Sequence, residues 1–140
     1  MIAHFDTSAL LKLVFREEGQ PVAAQLWEDA DVVAMSQLGY AEARAAVAAA
    51  VRDGRLARGR LPGAIGQLER RWDEIAALDL TAAMARLAGE LADQHRLRGA
   101  DAVHLAAALS AEWDDLVFVT WDHRLAEGAQ AAGLVVAPSP

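Results

Sequence analysis

The chain has 140 residues, of which 54 % are hydrophobic and only 6 % aromatic, with a net charge of −7 and no cysteine. That length suits one domain, residues 1–140, around a single core, and the missing thiols exclude disulfides and leave carboxylate and imidazole to hold any metal. The acidic balance excludes a general nucleic-acid coat, which needs clustered Lys and Arg, and the densest apolar stretch, Ala45 to Val51, is too short to span a bilayer, so a cytoplasmic protein is expected.

Taken in chain order, "MIAHF" is a short strand-like run, followed by "SALLKLVF" with the apolar spacing of a short helix. A second short helix is expected in "QPVAAQLWEDA" before the strand-like "DVVAMS". The segment "LGYAEARAAVAAAVRDGRL" reads as a helix ending at Gly54, and "LPGAIGQLERRWDEIAAL" as another with Pro62 near its first turn. Between them Arg55, Arg58 and Arg60 follow one another without an intervening acid, a local basic patch on an acidic chain. "ALDLT" gives a brief strand, Thr81 a cap for "AAMARLAGELADQHRL", and a helix runs from about Ala100 to Trp113. The β-branched run "LVFVT", a helix in "HRLAEGAQAAG" and a last strand "LVVAP" complete the pattern, with Pro138 to Pro140 expected as a frayed tail. Strands alternating with helices imply an α/β fold, a parallel sheet covered on both faces.

Two acids then occupy the same topological place. Asp6 follows "IAHF" and Asp122 follows "LVFVTW", each just before a helix. The carboxyl ends of parallel strands line one edge, where ligands bind at a switch in strand order. Asp101 opens the helix of "RGADAVHLAAAL", and Glu42 stands early in the helix of "GYAEARAAV". Singly, Asp6 and Asp122 are equally well N-caps, Asp101 a first-turn acid favoured by the helix dipole, and Glu42 a solvated helix residue. Jointly they are acids set among apolar residues, where an unpaired buried charge is costly and a shared divalent cation removes the cost.

The motifs "DTSALLKL", "MSQLGYAEARAAV", "RGADAVHLAAAL" and "VTWDHRLAEGAQAAGL" resemble, in order and spacing, those of PIN-domain ribonucleases, specifically the VapC-like toxins of bacterial toxin–antitoxin pairs. The resemblance spans nearly the whole chain. It implies a three-layer sandwich with a central parallel sheet and helices on both faces, and an endoribonuclease dependent on Mg²⁺ or Mn²⁺. It also implies a small antitoxin partner and a homodimer. Asp6, Glu42, Asp101 and Asp122 match the family's acidic quartet, and Ser8 and Thr120 its small hydroxyl positions. On that basis Asp6, Asp101 and Asp122 are the expected metal ligands, Glu42 orients the attacking water, and Ser8 and Thr120 hydrogen-bond the carboxylates. His4 and His123 depart from the family pattern and are expected at the rim of the pocket.

This chemistry suits the residue types, because divalent ions neutralise the phosphate, activate water and stabilise the leaving alkoxide. Two such ions would bring the net charge from −7 to roughly −3 and invert its sign locally. Elsewhere, His104 stands three residues after Asp101 and is expected to be packed or hydrogen-bonded rather than a ligand, and Trp27, Trp72 and Trp113 to be core rather than base-stacking residues. Lys12, Arg16, Arg96 and Arg98 are candidates for an RNA path, though such residues are more often solvated surface charges. The alternatives are a metal-dependent phosphatase or DNA nuclease built on similar carboxylates, and a non-catalytic binding module of the same fold. A dehalogenase-type phosphatase is weakened by Ser8, which stands where its second acid belongs.

Overall fold

The computed structural model describes residues 1–139. Its strands are β1 (Ile2–Phe5), β2 (Val32–Ser36), β3 (Ala76–Leu78), β4 (Leu116–Val119) and β5 (Val135–Ala137), and its helices are α1 (Thr7–Val14), α2 (Gln20–Asp29), α3 (Leu38–Arg52), α4 (Leu61–Asp73), α5 (Ala82–His95), α6 (Gly99–Ser110) and α7 (His123–Ala131). The strands form one parallel sheet in the order β3–β2–β1–β4–β5. The chain therefore winds outward from β1 through β2 to β3, then returns to the other side of β1 for β4 and β5. The reversal lies between β1 and β4, and in a doubly wound sheet that is where a crevice opens at the carboxyl edge.

Side-chain parity along the strands assigns the two covered faces. Ala3, Phe5, Val33, Met35 and Val119 join Leu10, Leu13, Trp27, Val47 and Leu68 in one apolar cluster. Leu116, Phe118 and Val136 join Met84, Leu91, Leu105 and Leu125 in the other. The sheet is the middle layer between α1–α4 and α5–α7, as an α/β three-layer sandwich requires. Phe5, Leu10, Leu105 and Phe118 are fully buried, each worth roughly 1.5–3 kcal/mol relative to exposure. Alanines supply much of α6, including Ala102, Ala106 and Ala107, all fully buried, so that this helix lies close to the sheet.

The elements follow the expected order with three differences. The brief strand lies at Ala76–Leu78, earlier than "ALDLT", because Ala76 and Leu78 pair with Ala34 and Ser36; the preceding helix accordingly stops at Asp73 instead of continuing through "IAAL". The helix carrying Asp101 ends at Ser110, not Trp113, with Glu112 turned to a positive φ of 51°. A short 3₁₀ turn, Arg58–Arg60, precedes α4. Thr81 caps α5 as expected, its hydroxyl accepting from Met84 N at 3.1 Å. Of the expected tail, Pro138 is half-buried, Ser139 is exposed and Pro140 lies outside the described residues. Among the described residues no helix is long and apolar enough to cross a membrane.

Candidate active site

Asp6 ends β1 and caps α1 at once. Its Oδ1 accepts from Ala9 N at 2.9 Å and Ser8 Oγ at 2.7 Å, and its Oδ2 accepts from Thr120 Oγ1 at 2.6 Å. The two hydroxyls are aimed from behind by backbone: Trp121 N donates to Ser8 Oγ at 3.0 Å, and Asp122 N donates to Thr120 Oγ1 at 3.0 Å. Two hydrogen-bonded chains thus tie the end of β4 to the end of β1 across the switch point. A carboxylate has about four acceptor positions, and three are used here, so Oδ2 keeps one. Asp6 is 3 % exposed. Burial pushes its carboxyl above the usual range, opposed by the bonds from Thr120, Ser8 and Ala9 and by nearby His104.

Asp122 repeats the arrangement at α7, where its Oδ1 accepts from Leu125 N at 2.9 Å. Its Oδ2 faces Arg98 Nη2 at 3.6 Å, and the same guanidinium donates from Nε to Asp101 Oδ2 at 2.8 Å. Asp101, in the first turn of α6, has no other hydrogen-bond partner among the described residues. Trp121, beside Asp122, is admitted against the start of α2 by Gly19, whose φ is +93° and whose added Cβ would lie 2.8 Å from the indole Nε1.

Glu42 reaches the site from α3. Thr7 Oγ1 donates to its Oε1 at 2.8 Å, and His104 Nε2 lies 2.5 Å from the same oxygen and 3.1 Å from Thr7 Oγ1. An Nε2–H tautomer satisfies both acceptors. Partial burial opposes ionisation of Glu42, but the hydrogen bond with His104, together with Thr7 and Arg98, outweighs it and holds the carboxyl below its usual range. Oε2 is left without a protein partner among the described residues.

All four predicted acids therefore stand in one web at the carboxyl edge: Asp6 joined to Asp122 through Thr120, Asp122 to Asp101 through Arg98, and Glu42 to the Asp6 turn through Thr7. They do not form a closed cage, for among the described residues no three acidic or imidazole side chains are gathered tightly enough to hold an ion. The donor set is all oxygen, which suits a hard cation, and an open arrangement suits Mg²⁺, which keeps several waters and takes one or two carboxylates. Ser8 and Thr120 both donate to the Asp6 carboxylate. His4 does not reach the pocket rim: it is fully buried and stacked on Phe118 at 5.6 Å, neither ring nitrogen bonded, because parity turns it from the Phe5 face into the α5–α7 layer. His123 is exposed as the first residue of α7. Trp27 and Trp72 pack in the first apolar cluster and Trp113 against the second. The sequence reading omitted Thr7, and it took Arg98 for an RNA-path candidate without foreseeing its bridge. The spacing of Arg98 and Asp101, three apart at a helix start, was the available signal.

A PIN domain model matches residues 4–130. The chain is 45 % identical over 138 residues to Ribonuclease VapC45 of Mycobacterium tuberculosis, covering 99 % of this chain and 96 % of that one. The chain belongs to the PIN-domain family and, within it, to the VapC ribonucleases. Among solved structures it superposes on Mycobacterium tuberculosis VapC20, described as a sarcin–ricin-loop-cleaving toxin, with a TM-score of 0.69, 20 % identity and coverage of 95 % and 96 % of the two chains. It also superposes on a toxin–antitoxin complex from Klebsiella pneumoniae with a TM-score of 0.59, 21 % identity and coverage of 86 % of each chain. At those identities the likeness to the two structures is one of fold, and the PIN architecture described above is the common part.

Proposed function

We propose that this chain is a divalent-metal-dependent endoribonuclease, a single PIN catalytic unit over residues 1–140, and the toxin of a toxin–antitoxin pair in the cytoplasm. The observation that carries the reading is Asp6: a buried carboxylate at the switch point, oriented by three hydrogen bonds and left with one acceptor position, beside three further acids from α3, α6 and α7. A purely structural cap needs no such company. Its placement is supported by membership in a family of ribonucleases.

In this reading Asp6, Asp101 and Asp122 would hold Mg²⁺ or Mn²⁺, which would supply charge neutralisation at the phosphate and lower the pKa of water. Glu42 uses its free Oε2 to orient the attacking water and take its proton, while Thr7 and His104 fix Oε1. Attack forms a bond from the water oxygen to phosphorus and breaks the bond to the 3′ oxygen, which takes up a proton from solvent as it leaves. The products carry a 5′-phosphate and a 3′-hydroxyl. Ser8 and Thr120 keep Asp6 from rotating. A small antitoxin and a homodimer complete the proposal, the antitoxin delivering a basic side chain to the acids.

The test is incubation of the purified chain with a mixed RNA pool and Mg²⁺ or Mn²⁺, with EDTA and Asp6→Asn controls. Metal-dependent cleavage lost in both controls supports the assignment. Cleavage that survives EDTA would remove the carboxylates from the chemistry, and absence of any cleavage would favour the non-catalytic module.

A further inference from the structure

Arg98 is the only Lys or Arg among the described residues that forms an ion pair with the acidic quartet. Its backbone is fixed: it follows Leu97, which is 8 % exposed, and its carbonyl accepts from Ala102 N at 2.9 Å. Its side chain is 78 % exposed, reaching out over the acidic edge. The two atoms it engages are Asp101 Oδ2, from α6, and Asp122 Oδ2, from α7. Asp122 Oδ1 is already spent on the cap of α7, and Asp101 has nothing else. The guanidinium therefore sits on the oxygens through which these two acids would hold a cation.

An isolated i, i+3 surface pair would account for the contact with Asp101 alone. It does not account for the reach to Asp122, the cap residue of α7. We propose that Arg98 is a substrate-contacting residue stored on Asp101 and Asp122, competing with the divalent ion for those oxygens and passing to the RNA phosphate once they are taken. This rests on the ribonuclease reading and extends it. The physical reasons are two. A guanidinium that loses its carboxylate partners beside a bound phosphodiester finds there an acceptor of matching, bidentate geometry. Attack on phosphorus also adds charge to the non-bridging oxygens, so a fixed fork of donors gains strength as the barrier is approached. Stored on the acids, the same charge eases their mutual repulsion in the metal-free chain.

The experiment compares wild type with Arg98→Ala and Arg98→Lys. Mn²⁺ binding is measured by calorimetry without RNA, and kcat and KM are measured on an oligoribonucleotide cut at one site with Mn²⁺ saturating. Arg98→Ala should bind Mn²⁺ roughly two- to fivefold more tightly, the effect of removing an exposed charge from the site, and lose about a hundredfold in kcat/KM. Arg98→Lys should restore the weaker metal binding but only part of the cleavage, since a point charge cannot reproduce the fork. Mn²⁺ affinity unchanged or weakened in Arg98→Ala would overturn the storage on the acids. Full kcat/KM in that variant would overturn the phosphate contact. A wild-type chain that cleaves no RNA would refute the ribonuclease reading, and the Mn²⁺ titration would still decide whether Arg98 occupies the cation's oxygens.

Discussion

His104 is the sharpest test of how the site is held, because it is 1 % exposed and its Nε2 lies 2.5 Å from Glu42 Oε1 while its Nδ1 has no partner. Replacing it by Leu places an apolar side chain in an apolar layer and removes the donor that faces Glu42 Oε1 and, at 3.1 Å, Thr7 Oγ1. Glu42 is then held by Thr7 alone. A hydrogen bond to a charged group is worth about 1.5–3 kcal/mol, and loss of a residue that orients a catalytic ligand costs about 10- to 100-fold, or roughly 1.4–2.7 kcal/mol. The expected result is a fall of that size in kcat with KM little changed, since a wandering Glu42 fails the water and not the RNA. His104→Gln, whose amide N–H can reach the same oxygen, should recover most of the loss, and circular dichroism should show both variants folded. A His104→Leu enzyme with normal kcat would refute the reasoning. So would Gln no better than Leu in two folded proteins, for the defect would then be one of packing.

Three further outcomes follow from the same geometry. Burial, and secondarily His104, lowers the His4 pKa from 6.5 to about 3, so the unfolded chain binds the extra proton below pH 6.5 and the folded chain does not; in EDTA, urea titrations should show wild type losing about 2 kcal/mol more stability than His4→Phe between about pH 7.5 and about pH 5, and equal losses would place the His4 ring in contact with water. Asp101→Asn should abolish cleavage and leave the metal-free melting temperature unchanged or raised, because it removes a charge from a crowded acidic edge; normal cleavage would take Asp101 out of the site. Fragments from a substrate cut at one position should accept a 5′ label only after phosphatase treatment; a cyclic phosphate on the upstream piece would show that the neighbouring 2′-hydroxyl, and not water, attacks.

What the sequence disclosed and what it withheld divide along physical lines. Asp6 and Asp122 were legible because a strand end and a helix start meet at each, and the choice between cap and site residue was never exclusive: both acids cap and both face the edge. The paired faces of the sheet were not legible. Alternation sets His4 opposite Phe5, but in a sheet covered on both sides strand positions are mostly apolar on either face, so nothing in "IAHF" reveals that His4 is sealed beneath the second helical layer, and it was assigned to a rim it does not touch. The short strand β3 was displaced for a related reason, since "IAALDL" offers a helix end and a strand the same apolar run. Thr7 and the bridge made by Arg98 depend on tertiary approach, Thr7 meeting a residue 35 positions away, and periodicity carries no such information.

The double use of the capping acids yields the cleanest separation of folding from chemistry. In Asp122 one oxygen accepts from Leu125 N, and the other is turned to the site and Arg98. In Asp6, too, Oδ1 accepts the cap bond from Ala9 N, while the acceptor position that remains belongs to Oδ2. The N-termini of α1 and α7, each carrying about half a positive charge, partly offset the repulsion among the acids. Asn caps a helix about as well as Asp, but its outward group is an amide, without charge and unable to ligate as a carboxylate. Asp122→Asn should therefore retain the stability of the metal-free protein within a few tenths of a kcal/mol while losing metal binding and cleavage. Asp122→Ala loses the cap as well and should cost a further 1 kcal/mol or so, within the usual range of about 0.5–2. Urea titrations in EDTA and Mn²⁺ calorimetry on the three proteins read the two roles separately. Should Asn bind Mn²⁺ as wild type does and only Ala lower stability, Asp122 is a cap and nothing more, and the site loses its fourth acid.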